Sequence, residues 1–381
     1  MKIGFLITYF YPATGGAENN CYYLAKELAK KHEVHVFCSG EEESEEIINN
    51  IHIHRSKEVF RFKYYLAAYP TICSSILKYK LDILHVHGLG FPQHDFAISR
   101  IKTKNPSMKL VCTPHGPFMA LKKYTPMIKL TKFLYTLMIK RNLRRYDAII
   151  QVNPHQFSWL TKEYDIPKSK IYFLPNGIDK SALSKVSLKD KNKTMGKYNL
   201  ENKFIITYLG RIQEYKGLRQ VIEVLPELIE LNPNLVFVAM GKDKGEKAYL
   251  SELGKKLNVE KNIIFTGEVS EKNKFSMLSL SDIFIFPSEW EAFGIVMLEA
   301  MAQNNAIVSS KTEGGLYLIK PGVGGYLFEY GNKTQMIEKI SILLKNPASL
   351  DKMQKFNHNL SAKYLWPDIA KDLERIYKSL S

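Results

Sequence analysis

Residues Pro287–Gly315 read PSEWEAFGIVMLEAMAQNNAIVSSKTEGG. An apolar run, Ile283–Phe286, stops at Pro287-Ser288, glutamates follow at 291 and 299, and a Gly pair closes the stretch. The run has the length and composition of a buried strand, and Ile295–Ala302 has helical hydrophobic spacing. The stretch therefore predicts a strand, a loop carrying Glu291, and a helix with Glu299 about two turns into it. Were the interval helical throughout, the two carboxylates would stand roughly 12 Å apart. Phe293, Gly294 and Ile295, at the helix start, present free backbone N–H groups on which an anion can dock. A ligand with hydroxyls at both ends and phosphates in the middle fits these features, and a nucleotide sugar has that layout. An amphipathic helix with two solvated glutamates accounts for the same spacing.

Outward from this stretch, short apolar runs alternate with helical patterns along the chain, which signals α/β construction with parallel sheets. In the first half the expected strands are Ile3–Thr8, Val34–Cys38, Ile83–His87, Leu110–Thr113, Ala148–Val152 and Ile171–Leu174. A second set follows at Phe204–Leu209, Leu235–Met240, Ile263–Phe265, Ile283–Phe286 and Ala306–Ser309. The restart predicts two Rossmann-like, doubly wound domains, 1–180 and 181–362, with their strand ends at a central cleft. Asp179–Asn202, rich in Lys, Ser and Asn, reads as the linker. The amphipathic segment 363–381 has no strand after it and is expected to pack back on the first domain.

The 381 residues suffice for two cores, and 24% charged with 45% hydrophobic residues excludes a disordered or fibrous chain. The formal charge is +16, with 26 Lys+Arg against 15 Asp+Glu up to Lys180. From Phe96 to Tyr146 there are 12 basic residues and no acidic one, so a negatively charged partner is expected at the first half. Cys21, Cys38, Cys73 and Cys112 form no metal-ligand spacing and read as reduced thiols of a cytoplasmic protein. Met1–Tyr11 reads as a buried first strand rather than a signal peptide, and no apolar run is long enough to span a bilayer.

The loops after the strands carry the polar chemistry. Gly15-Gly16 opens a helix after the first strand, where a Gly pair permits close approach of phosphate and a positive φ; a plain tight turn is the other reading. His85 and His87 end the third strand, and His115, between Pro114 and Gly116, follows the fourth. A lone histidine is more often a satisfied core residue than a catalyst. Gly210-Arg211 and Lys216-Gly217 follow the first strand of the second domain, where two cations suit a diphosphate; surface solvation of both is the other reading. There is no D-x-D, so a metal held by carboxylates is not expected, and Arg211, Lys216 and the helix start at Gly294 are left to neutralise leaving charge.

Taken in order, Gly15-Gly16, His115, Gly210-Arg211, Lys216-Gly217, Glu291 and Glu299 make the chain resemble the family 4 retaining glycosyltransferases of the GT-B fold, over nearly its whole length. Pro175-Asn176-Gly177-Ile178-Asp179 looks like that family's PNG-V/I-D segment, and Gly267 sits where such enzymes hold the base. The resemblance implies transfer of a sugar from a nucleotide donor with retention of configuration, and neither metal nor cofactor. It implies that Glu299 binds the ribose and Glu291 the donor sugar, that Arg211 and Lys216 hold the diphosphate, and that Gly16 approaches it from the first domain. His115 would contact a sugar hydroxyl. Front-side substitution assisted by the leaving phosphate is the mechanism usually inferred. The chain departs from the family at Gln303-Asn304-Asn305, where a Gly C-cap and a Pro are usual; Asn can adopt the left-handed conformation instead.

Phe118–Arg145 interleaves apolar residues with eight cations and no acid, and Arg55–Lys80, with Phe60, Phe62, Tyr64, Tyr65 and Tyr69, is similar. Such segments suit an anionic membrane, which predicts a peripheral protein at the inner face and a lipid-linked or glycolipid acceptor. A core helix with a solvated basic face is the plainer alternative. Loops around His87–Phe96 and Phe118–Tyr124 are expected to shape the acceptor pocket. No helix-turn-helix, zinc-finger or RNP-like pattern is present, so nucleic acid is not expected. A soluble enzyme with a small acceptor, a nucleotide-sugar epimerase and a non-catalytic sugar-binding protein are the competing readings.

Overall fold

The computed structural model describes residues 1–13, 15–62, 66–120 and 125–380. Thr14, Tyr64, Tyr65 and the end of the expected 118–124 loop lie outside the described residues. The chain divides into two compact units, Met1–Asn176 with Trp366–Ser381, and Gly177–Leu365.

Among its described residues the first unit has ten strands: β1 (Lys2–Leu6), β2 (Glu33–Gly40), β3 (Ser44–Ile48), β4 (Ile51–Lys57), β5 (Phe60–Phe62), β6 (Leu66–Ala68), β7 (Ile83–His87), β8 (Lys109–Thr113), β9 (Ala148–Gln151) and β10 (Ile171–Phe173). Its helices are α1 (Gly16–Leu28), α2 (Ile72–Leu77), α3 (Pro92–Lys104), α4 (Pro126–Leu143) and α5 (Gln156–Lys162). The main sheet runs β10-β9-β8-β7-β1-β2-β4-β3, parallel except for β3, and β5 pairs with β6. β7 is buried along its whole length, His85 and His87 included, as a strand covered on both faces must be.

The hairpin β3–β4 went unread in the sequence. Ile48 pairs with Ile51 across Asn49-Asn50, whose φ values of 51° and 63° suit a two-residue primed turn. The described residues of Arg55–Lys80, a stretch expected to be basic and amphipathic, are strand, turn and short helix. Its Tyr69 is buried and hydrogen-bonded to His94 at 2.6 Å.

The second unit starts with α6 (Leu188–Tyr198), followed by β11 (Phe204–Leu209), α7 (Leu218–Leu231), β12 (Leu235–Met240), α8 (Lys247–Lys256), β13 (Ile263–Gly267), α9 (Glu271–Leu278), β14 (Ile283–Phe286) and α10 (Ile295–Ala302). It continues through β15 (Ala306–Ser310), α11 (Glu313–Leu318), β16 (Gly325–Phe328), α12 (Lys333–Lys345) and α13 (Pro347–Ser361). The sheet is wholly parallel, β13-β12-β11-β14-β15-β16. The expected linker at 179–202 is corrected by α6. Ser187 caps that helix on the Asp190 amide at 3.1 Å, and Asp190 pairs with Lys272 at 2.8 Å. Thr194 is its buried residue, so the helix reads as solvated linker in sequence.

After α13 the chain returns to the first unit as α14 (Trp366–Ser379). Trp366, Ile369, Ala370, Leu373 and Tyr377 are buried at helical spacing. Trp366 stacks on Tyr23 of α1 at 5.5 Å, and Tyr377 places its hydroxyl 2.6 Å from His85 Nδ1.

Candidate active site

In the second unit the loops after β11 and β14 are tied together. Gly210 turns the chain at φ 153°, and the Tyr208 hydroxyl occupies the space a Cβ would need while donating to the Arg211 carbonyl at 2.9 Å. A 3-10 turn, Glu214–Lys216, then ends at Gly217 with φ 73°. A Cβ at 217 would stand 2.1 Å from the Pro287 carbonyl oxygen, so both backbone conformation and space demand glycine. The Glu289 amide donates to the Tyr215 carbonyl at 2.8 Å and seals the two loops.

This approach buries Lys216 at the end of β14, its Nζ 2.7 Å from Glu291 Oε2 and over the rings of Tyr215 and Phe286. Burial alone would lower the Lys216 pKa, but Glu291, with Tyr215, outweighs it and holds the ammonium above the ordinary lysine value. Arg211 is exposed, its guanidinium donating to the Tyr215 hydroxyl at 3.1 Å.

The Glu291 main chain is fixed by α11. The Gly314 amide donates to the Glu291 carbonyl at 3.1 Å, and a Cβ at Gly314 would collide with the Phe293 carbonyl oxygen at 2.2 Å, which explains a glycine at this place. The Phe293 ring is buried beside Tyr317 and Tyr364. Gly294, at φ 80°, turns the chain into α10, which begins at Ile295. Glu291 therefore lies in loop and Glu299 just over one turn into the helix. The helix starts at Ile295 as expected, so the two-turn placement is corrected by the four-residue interval to Glu299, and the spacing for a continuous helix by the Gly294 turn that leaves Glu291 outside it. At the other end of α10, Asn304 takes φ 61°, supplying the left-handed residue that glycine usually provides.

Glu299 is paired with a residue the sequence reading missed. Lys274 of α9, 7% exposed, lies 2.7 Å from Glu299 Oε1 and 2.8 Å from Glu271. Its signal was present: Lys274 precedes the buried Met277 and Leu278 by three and four residues, on the inward face of α9. Burial raises the Glu299 pKa and Lys274 opposes it. Gly241 was missed as well. A Cβ there would lie 2.0 Å from the Gly210 carbonyl oxygen, and its amide donates to the Gly267 carbonyl at 2.8 Å, so Gly210, Gly241 and Gly267 mark adjacent strand ends.

In the first unit, Gly15 is extended at φ −177° and Gly16 is the first residue of α1, so neither uses the expected positive φ. A Cβ on Gly15 would meet the Glu18 carboxylate at 2.2 Å, whereas Gly16 faces open space. Asn176 of the PNG segment accepts from Asn20 of α1 at 2.5 Å. His115 is left-handed at φ 60°, its Nε2 3.0 Å from His87 Nδ1. Burial pushes its pKa down to about 4, and that of His85, hydrogen-bonded to Tyr377 and Thr113, to about 3. His115 is thus a neutral hydrogen-bonding group at physiological pH.

Two family models meet this arrangement, Glycosyltransferase Family 4 over residues 14–182 and Glycosyl transferases group 1 over residues 190–360. The chain belongs to the family 4 glycosyltransferases. It is 27% identical over 355 residues to N-acetyl-alpha-D-glucosaminyl L-malate synthase of Bacillus anthracis, covering 91% of this chain and 88% of that one. It is 21% identical over 390 residues to phosphatidyl-myo-inositol mannosyltransferase of Mycobacterium leprae, covering 100% and 97%. Among solved structures, HepE of Anabaena in complex with UDP matches with a TM-score of 0.78 at 18% identity, covering 100% of both chains. The architecture is GT-B, and the protein is a glycosyltransferase.

Proposed function

We propose that this glycosyltransferase moves a hexose-type sugar from a nucleotide-diphosphate sugar to an acceptor hydroxyl, with retention of configuration and without a metal. The observation that carries the reading is the half-buried Lys216–Glu291 pair, held by two glycine-dependent loops at the N-terminus of α10. Lys216 and Arg211 take the diphosphate, Glu291 the hydroxyls of the donor sugar, and Glu299 the ribose. Gly267 is assigned to the base, and the Gly294 and Ile295 amides to phosphate. Gly16 and His115 of the first unit are proposed to take part in the same transfer. In that step the bond from anomeric carbon to phosphate oxygen breaks and its electron pair passes to the leaving phosphate. The acceptor oxygen bonds to the same face of the carbon, and its proton goes to the leaving phosphate oxygen. Lys216 and Arg211 stabilise the charge that develops there. The UDP complex of the Anabaena relative supports a nucleotide donor.

For the acceptor, α4 supports a lipid. Met127, Leu130, Phe133, Leu134, Leu137 and Met138 are 49–77% exposed, and Lys129, Lys132, Lys140 and Arg141 accompany them. The solvated face is apolar, the reverse of a core helix with a basic outer face. An exposed apolar stripe with cations beside it suits an anionic bilayer. A lipid-linked or glycolipid acceptor at the inner leaflet follows, in keeping with the printed name of the mycobacterial relative. No helix among the described residues is long and apolar enough to cross a membrane. A thermal-shift screen of UDP-, GDP- and ADP-sugars tests the donor: one series raises the Tm of wild type and not of Glu299→Ala. No shift with any of them contradicts the reading.

A further inference from the structure

We infer that Lys274 is a positioning residue for nucleotide recognition, holding the Glu299 carboxylate in place from the buried face of α9. The inference rests on the proposed assignment of Glu299 to the ribose. Lys274 touches two carboxylates of different character: the Glu271 side chain is 73% exposed and that of Glu299 15%. A lysine that served Glu271 alone would remain in water, as i,i+3 surface pairs do, and would contribute little. Lys274 instead brings its ammonium inside, 2.7 Å from Glu299 Oε1, with the Phe275 ring 4.5 Å away. Burying an ammonium costs several kcal/mol unless a counter-charge meets it, and Glu299 is that partner.

The consequence is chemical as well as geometric. An ionised carboxylate accepts hydrogen bonds on both oxygens, as a vicinal diol requires, whereas a protonated one spends an oxygen on its own O–H. Without Lys274, burial of Glu299 would favour the protonated form. The lysine thus sets both the direction and the charge of the group assigned to read the sugar of the nucleotide, while itself touching no substrate.

The test compares affinities for UDP, GDP and ADP with those for their 2′,3′-dideoxy counterparts, in wild type, Glu299→Ala, Lys274→Met, Lys274→Arg and Glu271→Gln. For the nucleotide that binds, wild type is expected to prefer the ribose form by about 10-fold or more, the weight of a hydrogen bond to a charged acceptor. Lys274→Met loses that preference by weakening the ribose form alone, Lys274→Arg recovers part of it, and Glu271→Gln keeps it. Lys274→Gln replaces the Met variant should that fail to fold. A charge-deleted variant that keeps the full preference overturns the inference while leaving the Glu299 assignment standing. A wild type without preference, or a Glu299→Ala variant that retains it, overturns the assignment and the inference together.

Discussion

At the scale of single residues, the site depends on glycines as much as on charged groups. Gly217 is the clearest case, because its φ of 73° and the 2.1 Å approach to Pro287 act together. Gly217→Ala is expected to cost at least about 1 kcal/mol, seen as a Tm lower by roughly 2–4 °C. Nucleotide affinity should fall with it, since Lys216 would leave Glu291; an unchanged Tm would show that the loop has room to relax. Tyr377→Phe removes a hydrogen-bond partner from the buried His85 and should cost about 1–3 kcal/mol, measurable by denaturant unfolding. Residues that stand at strand ends were readable in the sequence, because a polar group after an apolar run has few other uses. Lys274 was not, because a cation in the middle of a helix reads as solvated until Glu299, 25 positions away, is seen to meet it.

At the scale of elements, the parallel strands were the most legible part. β7, β12, β14 and β15 are buried along their whole lengths; β12 and β14 are continuous apolar runs, and β7 and β15 are apolar apart from His85, His87, Ser309 and Ser310 at or near their ends. Elements with mixed surroundings were lost: β3 is almost wholly exposed and acidic, and α6 buries one threonine. In α4 the composition was legible and the orientation was not. Thr136, Ile139 and Leu143 face inward, so most of the large apolar residues are left outside. Leu130→Asp with Phe133→Asp should abolish binding to anionic vesicles at low salt and leave the Tm within about 1 °C, since both side chains are already exposed. Vesicle binding equal to wild type would remove α4 from the account.

At the scale of the whole molecule, the first unit holds several histidines that fold neutral. Burial pushes His85 and His94 down to about 3, His115 to about 4, and His87 well below the usual range. The unfolded chain protonates each near pH 6.5, so stability is complete above that pH and is lost as pH falls toward 4. Each contributes on the order of 1.4 kcal/mol per pH unit. Asp95 and Asp282, each raised to about 6 by burial, act the other way between about pH 4 and 6, two groups against these four. A Tm lower by about 10 °C or more at pH 5.0 than at pH 7.5 is expected; a flat profile would mean that these histidines are hydrated.

The central claim is that Lys216 and Glu291 work together on a nucleotide-sugar donor. It is tested most directly by release of nucleoside diphosphate from UDP-, GDP- and ADP-sugars, comparing wild type with Lys216→Ala and Glu291→Ala at matched folded concentration. The account predicts release by wild type from one of these series, reduced about 10²–10³-fold in both variants, the range for loss of a group that stabilises developing charge. Undiminished release in either variant, or none from any donor by wild type, would contradict it.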